Sequence, residues 1–449
     1  MPEIYLFLAS MLCTVFLVYM FRRGVTLGTC GGWVILTCIH GLLLKPLVVY
    51  FDFPNAAVLD DLLFQTATRA EYWIWGTASL LAYAIFFASM NLTARYAHVP
   101  DAFDRRDRIL CFNNLALTMF LCIGLAGIVG FFLQFPQLLG SGNKNVVATV
   151  DLTEYSGGGI WRYISEYTYV VSLCALVNVG AKVRRRLSLV LFFFASGTWI
   201  LFCFLSDQRG LLFFSTVAYL IAYNRYVSRV SKGKILVAVS LMVSVVLLKT
   251  VARLSSSAVD LRDNFAQTMG NLVGQNLIEH AKMVSIIKAI PDVLPFQYAY
   301  SYVNAVLVLI PRSIFPDKPF VNLDTTIGNA VFGCESFGAC AVPPGMLAES
   351  YLNFGVPGLA IVPIALGLMI GKFDFEFRVA RRGSTFDIFY LVSVLFLGMG
   401  ILGSGIASSI TQLITQMVTI ALICFLSRKS VRAGKSAARI QTVIQSPSN

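Results

Sequence analysis

Long apolar runs recur from one end of this chain to the other, and they constrain its fold more than any other feature. Hydrophobic residues make up 57% of the 449 residues and charged residues only 13%, against ~25% charged in soluble domains. A helix satisfies its own backbone hydrogen bonds inside lipid, and the short alternating strands of a membrane barrel are absent from the sequence. The sequence therefore predicts an all-α, polytopic integral membrane protein.

Eleven apolar runs are long enough to be candidate membrane spans. A twelfth run, 298–310, is short for a span and ends in Pro-Arg, so it is either re-entrant or a further crossing helix. We therefore expect about 11–12 transmembrane helices. The eleven candidates are 4–21, 27–50, 72–90, 109–133, 160–179, 187–205, 211–226, 235–248, 346–371, 386–402 and 406–426.

Positive charge predicts how these spans are oriented. The net charge of +12 comes from Lys and Arg clustered in short segments between apolar runs, and every second segment is basic. Such segments stay in the cytoplasm, so the charge indicates topology, not nucleic-acid binding. The prediction is an outer N-terminus and an inner C-terminus, and the alternation holds if residues 298–310 do not cross.

Residues 1–426 are thus interpreted as one membrane domain. It contains one large outer loop, residues 249–345, whose segment 260–289 has the spacing of an amphipathic helix or helix pair on the membrane rim. Residues 427–449, rich in Ser, Lys and Arg, are predicted to be a disordered cytoplasmic tail.

The cysteines and histidines argue against a metal cofactor. Eight of the ten cysteines lie in or near apolar runs and are expected to be small buried hydrophobes. Cys334 and Cys340 lie in a Gly-rich loop and are expected to form a disulfide if that loop is outside the cytoplasm. The three histidines are scattered along the chain, which argues against a histidine-based metal site.

Charged residues at the predicted outer edge are the first candidates for a functional site. Asp207 and Arg209 lie in a very short outer loop, where charge is costly unless it is paired or wetted. Lys249 and Arg253 are four residues apart and share one face of a continuing helix, as an anion site would require. The alternatives are an Asp207–Arg209 pair at the rim and simple solvation of a basic surface.

Residues 310–319, Ile-Pro-Arg-Ser-Ile-Phe-Pro-Asp-Lys-Pro, form a proline-stiffened charged segment. Its prolines exclude a regular helix, while Arg312 and Lys318 are suited to phosphate. Asp317 is suited to orient Lys318 or to act on a sugar hydroxyl. The alternative is a structural proline corner with solvated charges.

Residues 346–358 open a later span with Glu349, Tyr351 and Asn353. A carboxylate, a phenol and an amide suit sugar hydroxyls, although an acid near a helix N-terminus is also favoured by the helix dipole. Gly355, Pro357 and Gly358 are expected to bend this helix. His280, in the large loop, completes the predicted substrate-binding set.

Residues 310–319, followed by Glu349-Ser-Tyr-Leu-Asn-Phe-Gly355, resemble the bacterial oligosaccharide repeat-unit polymerases of the Wzy type. Arg209-Gly210 and the span end at Lys249–Arg253 are similar to weaker features of that family. The resemblance covers residues 200–360 and the hydropathy of the whole chain, whereas the first 180 residues carry no matching motif.

The resemblance implies a GT-C-like glycosyltransferase bundle in the bacterial inner membrane with a periplasmic active face. Such an enzyme transfers a growing glycan from undecaprenyl diphosphate to a lipid-linked repeat unit. It needs no nucleotide sugar and no cofactor, and it works with a chain-length regulator protein. The family is commonly drawn with twelve spans and both ends inside, which differs by one span from the charge pattern.

Under this hypothesis, outer Arg and Lys residues stabilise the diphosphate leaving group. Asp207, Asp317 and Glu349 are the candidate general bases for the acceptor hydroxyl. Two alternatives stay open: an O-antigen ligase, which also has a large outer loop, and a flippase or transporter for lipid-linked oligosaccharide.

Overall fold

The computed structural model describes residues 1–23, 29–51, 68–95, 110–136, 158–206, 209–228, 280–307, 310, 315, 323–333, 342–403 and 405–429. These residues are mostly helical. Seven helical stretches are long and apolar enough to cross a membrane, which confirms an all-α polytopic architecture for the described part of the chain. They are Pro2–Met20, Cys30–Leu47, Arg69–Thr93, Asn114–Gln134, Arg185–Leu205, Gly345–Val379 and Ile406–Ser427.

The described residues in the first half of the chain form eight helices of a bundle. One of the long stretches consists of α2 and α3 joined by the π-helical segment His40–Leu44. The helices are α1 (Pro2–Arg23), α2 (Cys30–Ile39), α3 (Lys45–Tyr50), α4 (Arg69–Arg95), α5 (Asn114–Gln134), α6 (Gly158–Gly180), α7 (Arg185–Leu205) and α8 (Arg209–Tyr226). The predicted span 235–248 lies outside the described residues.

The second half adds three short helices and then the last membrane helices. A second π-helical segment, Tyr390–Val394, joins α13 to α14. The helices are α9 (His280–Lys288), α10 (Tyr300–Leu307), α11 (Leu323–Phe332), α12 (Gly345–Val379), α13 (Thr385–Phe389), α14 (Leu395–Gly403) and α15 (Ile406–Ser427).

Two very short strands add a minor departure from an all-helical chain. β1 (Cys111–Phe112) precedes α5, and β2 (Arg428–Lys429) follows α15. They pair antiparallel, with Cys111 opposite Lys429. Residues 427–429, the start of the predicted disordered tail, are therefore part of the structure, because they end α15 and pair with β1. Residues 430–449 lie outside the described residues.

The ends of the helices that border the predicted cytoplasmic segments meet at one end of the bundle, which we call the basic end. Leu110 donates its backbone N–H to Arg382 O (3.1 Å) and Asn113 donates to Ser427 O (2.6 Å). Arg225 of α8 lies 2.8 Å from the carboxylate of Asp387 on α13. Segments predicted to share one side of the membrane are therefore together in space.

The other ends of these helices meet at the opposite end of the bundle. There Lys288 of α9 pairs with Glu71 of α4 (2.9 Å), and the Gln297 backbone N–H bonds to Leu352 O (2.9 Å). The N-terminus of α1 lies at this opposite end, because Tyr5 bonds to Leu42 O near α3. The described chain thus starts and finishes at opposite ends of the bundle.

The short helix α10 forms most of the described part of the run 298–310. Its eight residues span ~12 Å, less than half of the ~30 Å hydrocarbon core. The elements on both sides of it, α9 and α11, contact each other, and Val342, just before α12, donates to Asp324 O (2.9 Å) of α11. The chain therefore enters and leaves this stretch at the same end, which agrees with the re-entrant interpretation.

The described part of the predicted rim helix differs from its prediction. Residues 282–287 of α9 are all buried, whereas a helix lying on the membrane surface would keep one polar face exposed. The reason is that α9 packs against α4, α11 and α12, so protein covers it on several sides. Residues 260–279 lie outside the described residues.

Candidate functional site

Helix α12, which carries Glu349, is broken as its glycines and prolines predict. Within α12, Gly355 has φ 63° and ψ −148°, which ends the first helical segment after ten residues. A Cβ at Gly358 would lie 2.2 Å from the Ser350 carbonyl oxygen, so the two segments can approach only because a glycine is there. The break separates a short buried helix, residues 345–354, from the longer apolar segment that follows.

Glu349 is 1% exposed on this short helix, and its carboxylate meets the start of another helix. One oxygen accepts the backbone N–H of Ile406, and the other accepts the N–H of Ala407 at 3.0 Å. α15 has no side-chain cap of its own, since its N-cap residue is Gly405. Glu349 therefore supplies the negative charge and the acceptors that an open helix N-terminus favours.

Ser301 and Asn353 complete this buried network. The Ser301 hydroxyl lies 3.3 Å from a Glu349 oxygen and within 3.2 Å of the Asn353 amide. The Asn353 Nδ2 also donates to the Glu349 backbone carbonyl at 2.9 Å. The Glu349 carboxylate thus accepts three hydrogen bonds, and a carboxylate held in this way is better suited to position other groups than to remove a proton.

Helix α10 descends into the bundle alongside α15. Ser301, near the start of α10, and Ile406, at the start of α15, both donate to the Glu349 carboxylate. Further along both helices, the Ala305 carbonyl accepts a hydrogen bond from Thr411 Oγ1 at 3.0 Å. Both helices therefore start near the opposite end of the bundle and run in parallel toward its middle. α10 leads directly into residues 310–319, and the Ile310 N–H bonds back to Leu307 O.

Tyr351 does not join Glu349 and Asn353. Its ring lies near Phe296 and Trp75, with centroid distances of 6.1 and 6.5 Å, and the side chain is half-buried. Residues two apart on a helix point in different directions, whereas residues four apart share a face. Of the three residues predicted together, the structure brings only Glu349 and Asn353 into one network.

His280 is buried in a separate cluster. Its Nε2 lies 2.9 Å from the Tyr5 hydroxyl, which donates its own proton to Leu42 O (2.8 Å), so Nε2–H must be the donor to Tyr5. Nδ1 lies 3.4 Å from Ser79 Oγ. Burial, with a smaller effect of Lys45, lowers the pKa of His280 to about 3. The side chain is only 2% exposed, and this geometry favours docking of α9 over substrate contact.

Most of the residues of the predicted charged site lie outside the described part of the chain. The backbone of Arg209 begins α8, but its side chain lies outside the described residues. The other predicted positions outside the described residues are Asp207, Lys249, Arg253, Arg312, Asp317, Lys318, Cys334 and Cys340. Their predicted roles stay predictions, as does the disulfide.

The sequence interpretation missed three features that the structure makes prominent. Ser301 was hidden in an apolar run, and the backbone N–H groups of Ile406 and Ala407 leave no side-chain signal. Glu166, 3% exposed on α6, was detectable as a carboxylate inside an apolar run. Such residues are functional candidates by default.

The described residues contain no group of three or more His, Cys, Asp or Glu side chains that could hold a metal ion. Seven of the eight cysteines in this part of the chain are buried, and Cys122 is exposed. In comparisons with known proteins, no family model, no curated protein and no solved structure matches the chain.

Proposed function

We propose that this protein is a membrane glycosyltransferase that polymerises lipid-linked oligosaccharide repeat units. It transfers the growing glycan from undecaprenyl diphosphate to a new undecaprenyl-diphosphate-linked repeat unit at the periplasmic face of the bacterial inner membrane. The bond from the anomeric carbon to the donor phosphate breaks. A bond from that carbon to an acceptor hydroxyl oxygen forms, and the acceptor proton goes to a base.

One observation carries this proposal. The two segments with the family resemblance are residues 310–319 and 349–355, and residues 320–348 separate them in the sequence. α10, which leads into the first segment, is joined to the helix of the second through Ser301, Glu349 and Asn353. This contact supports a single site to which both segments contribute.

The chemistry assigns distinct roles to the predicted residues. Arg209, Lys249, Arg253, Arg312 and Lys318 would neutralise charge that develops on the leaving diphosphate. Asp207 and Asp317 are the candidate bases. Glu349 acts as a positioning residue, because its hydrogen bonds fix the start of α15 relative to α10.

The test is reconstitution of the full-length protein in vesicles with lipid-linked repeat units, followed by gel separation of the products. The wild-type protein should give a ladder of chain lengths, and Arg209→Ala, Arg253→Ala and Arg312→Ala should each remove it. Normal long chains from these folded variants would refute their catalytic role.

Two further outcomes distinguish the alternatives. Transfer of glycan to a lipid A acceptor without chain growth would indicate a ligase. Movement of labelled lipid-linked sugar across the bilayer without any new glycosidic bond would indicate a flippase. A suitable control is Thr198→Val on α7, since Thr198 is exposed and bonds only to its own helix at Phe194 O.

A further inference from the structure

α15 carries a stripe of polar side chains although it is apolar enough to span a membrane. At 100° per residue, the stripe occupies one face about 140° wide. Its residues between the Glu349-capped end and the middle of the helix are half-buried or buried. They are Thr411, Gln412, Thr415, Gln416 and Thr419.

Two other helices border this face. At one edge, Thr411 bonds to the Ala305 carbonyl of α10. At the other edge, Gln416 lies within hydrogen-bonding reach of Glu166 on α6. Gln412 and Thr415 lie between the two edges and are only half-buried. The polar face of α15 therefore lines the space between α10 and α6.

Two buried amide side chains, one on α10 and one on α15, have polar atoms without partners among the described residues. Asn304 of α10 is 4% exposed, yet neither its Oδ1 nor its Nδ2 has a hydrogen-bond partner among the described residues. Gln416 is also 4% exposed, and its Oε1 lacks a donor in the same part of the chain. Buried polar groups are almost always hydrogen-bonded, so these atoms point to a ligand or to water.

The pattern of missing bonds selects the chemistry of that ligand. A phosphate would satisfy only the amide N–H donors and would be repelled by Glu166, while a bare cation would satisfy only the oxygens. A hydroxyl group both donates and accepts, and so it matches an amide with both atoms open. Among the described residues, Arg162 is the cation that acts on Glu166, and it is exposed one turn before Glu166, on the side of the opposite end.

We infer that α6, α10 and α15 form a binding cleft for the hydroxyl groups of a neutral sugar, which Asn304, Gln416 and Glu166 recognise. The cleft begins beside Glu349 and reaches ~15 Å along α15, the rise of ten helical residues. This inference rests on the proposed function, in which the cleft holds a sugar of the lipid-linked repeat unit.

The test uses Asn304→Leu and Gln416→Leu in the full-length protein, with Thr198→Val as the matched control. The probe is lipid-free oligosaccharide, released by mild acid from the lipid-linked pool of a polymerase-deficient strain. Binding is measured by calorimetry in detergent, with inorganic diphosphate as the comparison ligand. Each leucine variant should weaken oligosaccharide binding about tenfold, the effect of one lost hydrogen bond, and leave diphosphate binding unchanged.

A thermal melt of the ligand-free protein gives a second readout. Because an unpartnered buried amide is unfavourable, Asn304→Leu should keep or raise the melting temperature, whereas the loss of a structural hydrogen bond would lower it. Lowered melting with unchanged oligosaccharide affinity would overturn the inference, as would a wild-type protein that binds no oligosaccharide. If the wild-type protein binds oligosaccharide but makes no ladder, the cleft stands and the proposed polymerase fails.

Discussion

At the scale of single residues, three buried carboxylates share one structural task. Each accepts backbone N–H groups, either from an element distant in sequence or from the residues just before its own helix. Asp374 accepts from Cys30 (3.0 Å) and Gly31 (2.9 Å) at the start of α2, and Asp387 accepts from Gly383 (2.8 Å). Glu349 does the same for α15. Open N–H groups at helix ends are costly in an apolar setting, and a carboxylate satisfies them.

The carboxylate at Asp387 also balances a cation. Arg225 pairs with it, donates to the Phe377 and Ala380 carbonyls, and lies 4.2 Å from the Phe377 ring centroid. Tyr226 donates its hydroxyl to the same carboxylate at 2.5 Å. These contacts fix the end of α8 against α12 and α13, so this buried pair is interpreted as structural.

His280 gives the first prediction at this scale, a pH-dependent stability. Burial lowers its pKa to about 3, from 6.5, so the folded state resists the proton that the unfolded state accepts. The stability from neutral His280 is present above pH 6.5 and is lost as the pH falls toward 3. At one pH unit below 6.5 the loss should be ~1.4 kcal/mol.

The measurement is the apparent melting temperature of the purified protein between neutral pH and about pH 5. The wild-type protein should lose more stability than His280→Gln, whose side chain does not titrate. The other titratable groups near His280 are Tyr5, Tyr72 and Lys45. Parallel profiles for the two proteins would contradict the assignment of the pH effect to His280.

At the scale of elements, the break in α12 decides how the site is assembled. A continuous 35-residue helix would be ~52 Å long, more than one membrane thickness. The break at Gly355 lets residues 345–354 pack inside the protein against α10 and α15, while the following segment crosses the bundle. Glu349 reaches Ile406 only because this first segment is separate.

Substitution of Gly355 provides the prediction at this scale. Its backbone, with φ 63° and ψ −148°, is in a region that only glycine adopts without strain, so Gly355→Ala should cost ~1–3 kcal/mol of stability. Gly197 of α7 is the matched control, since a Cβ there meets nothing within 4 Å. Gly197→Ala should stabilise the protein slightly, by up to ~1 kcal/mol.

Both variants are compared with the wild-type protein by thermal unfolding in detergent, together with the ladder assay. If Gly355→Ala melted like the wild-type protein and Gly197→Ala did not, the kink would not be a constraint on this fold.

At the scale of the whole molecule, the charge pattern of the sequence agrees with the arrangement of the helices. The helix ends next to basic segments meet at one end of the bundle. The chain begins at the opposite end of the bundle and its described part finishes at the basic end. Positive charge favours the cytoplasm, so we predict that the basic end faces the cytoplasm and that the Glu349 end faces the other side of the membrane.

Single cysteines in a background without native cysteines test this orientation. Val293→Cys replaces a side chain that is 54% exposed near the Glu349 end. It should react with a membrane-impermeant maleimide in cells whose outer membrane is permeabilised and whose inner membrane is intact. Arg186→Cys, exposed at the basic end, should react only after the inner membrane is broken. The reverse labelling pattern would invert the predicted topology.

The sequence by itself determined the features that depend on composition and local chemistry. Apolar runs of helical length predicted membrane helices, and seven of the eleven predicted spans match apolar helices of membrane-spanning length among the described residues. Gly355 with Pro357 predicted the break in α12. The basic segments predicted which helix ends would lie together. The shortness of residues 298–310 already favoured a re-entrant arrangement, since a helix of that length cannot reach across the hydrocarbon core.

Only the tertiary structure decided what the buried polar residues contact. Glu349 was correctly expected near a helix N-terminus, but the N-terminus that it caps belongs to α15, 57 residues later in the chain. Ser301, Asn304 and Glu166 are candidates because α15 packs against both α10 and α6. The physical reason is that a backbone N–H or a buried amide has no distinctive sequence signal, because its partner is set by which helices meet.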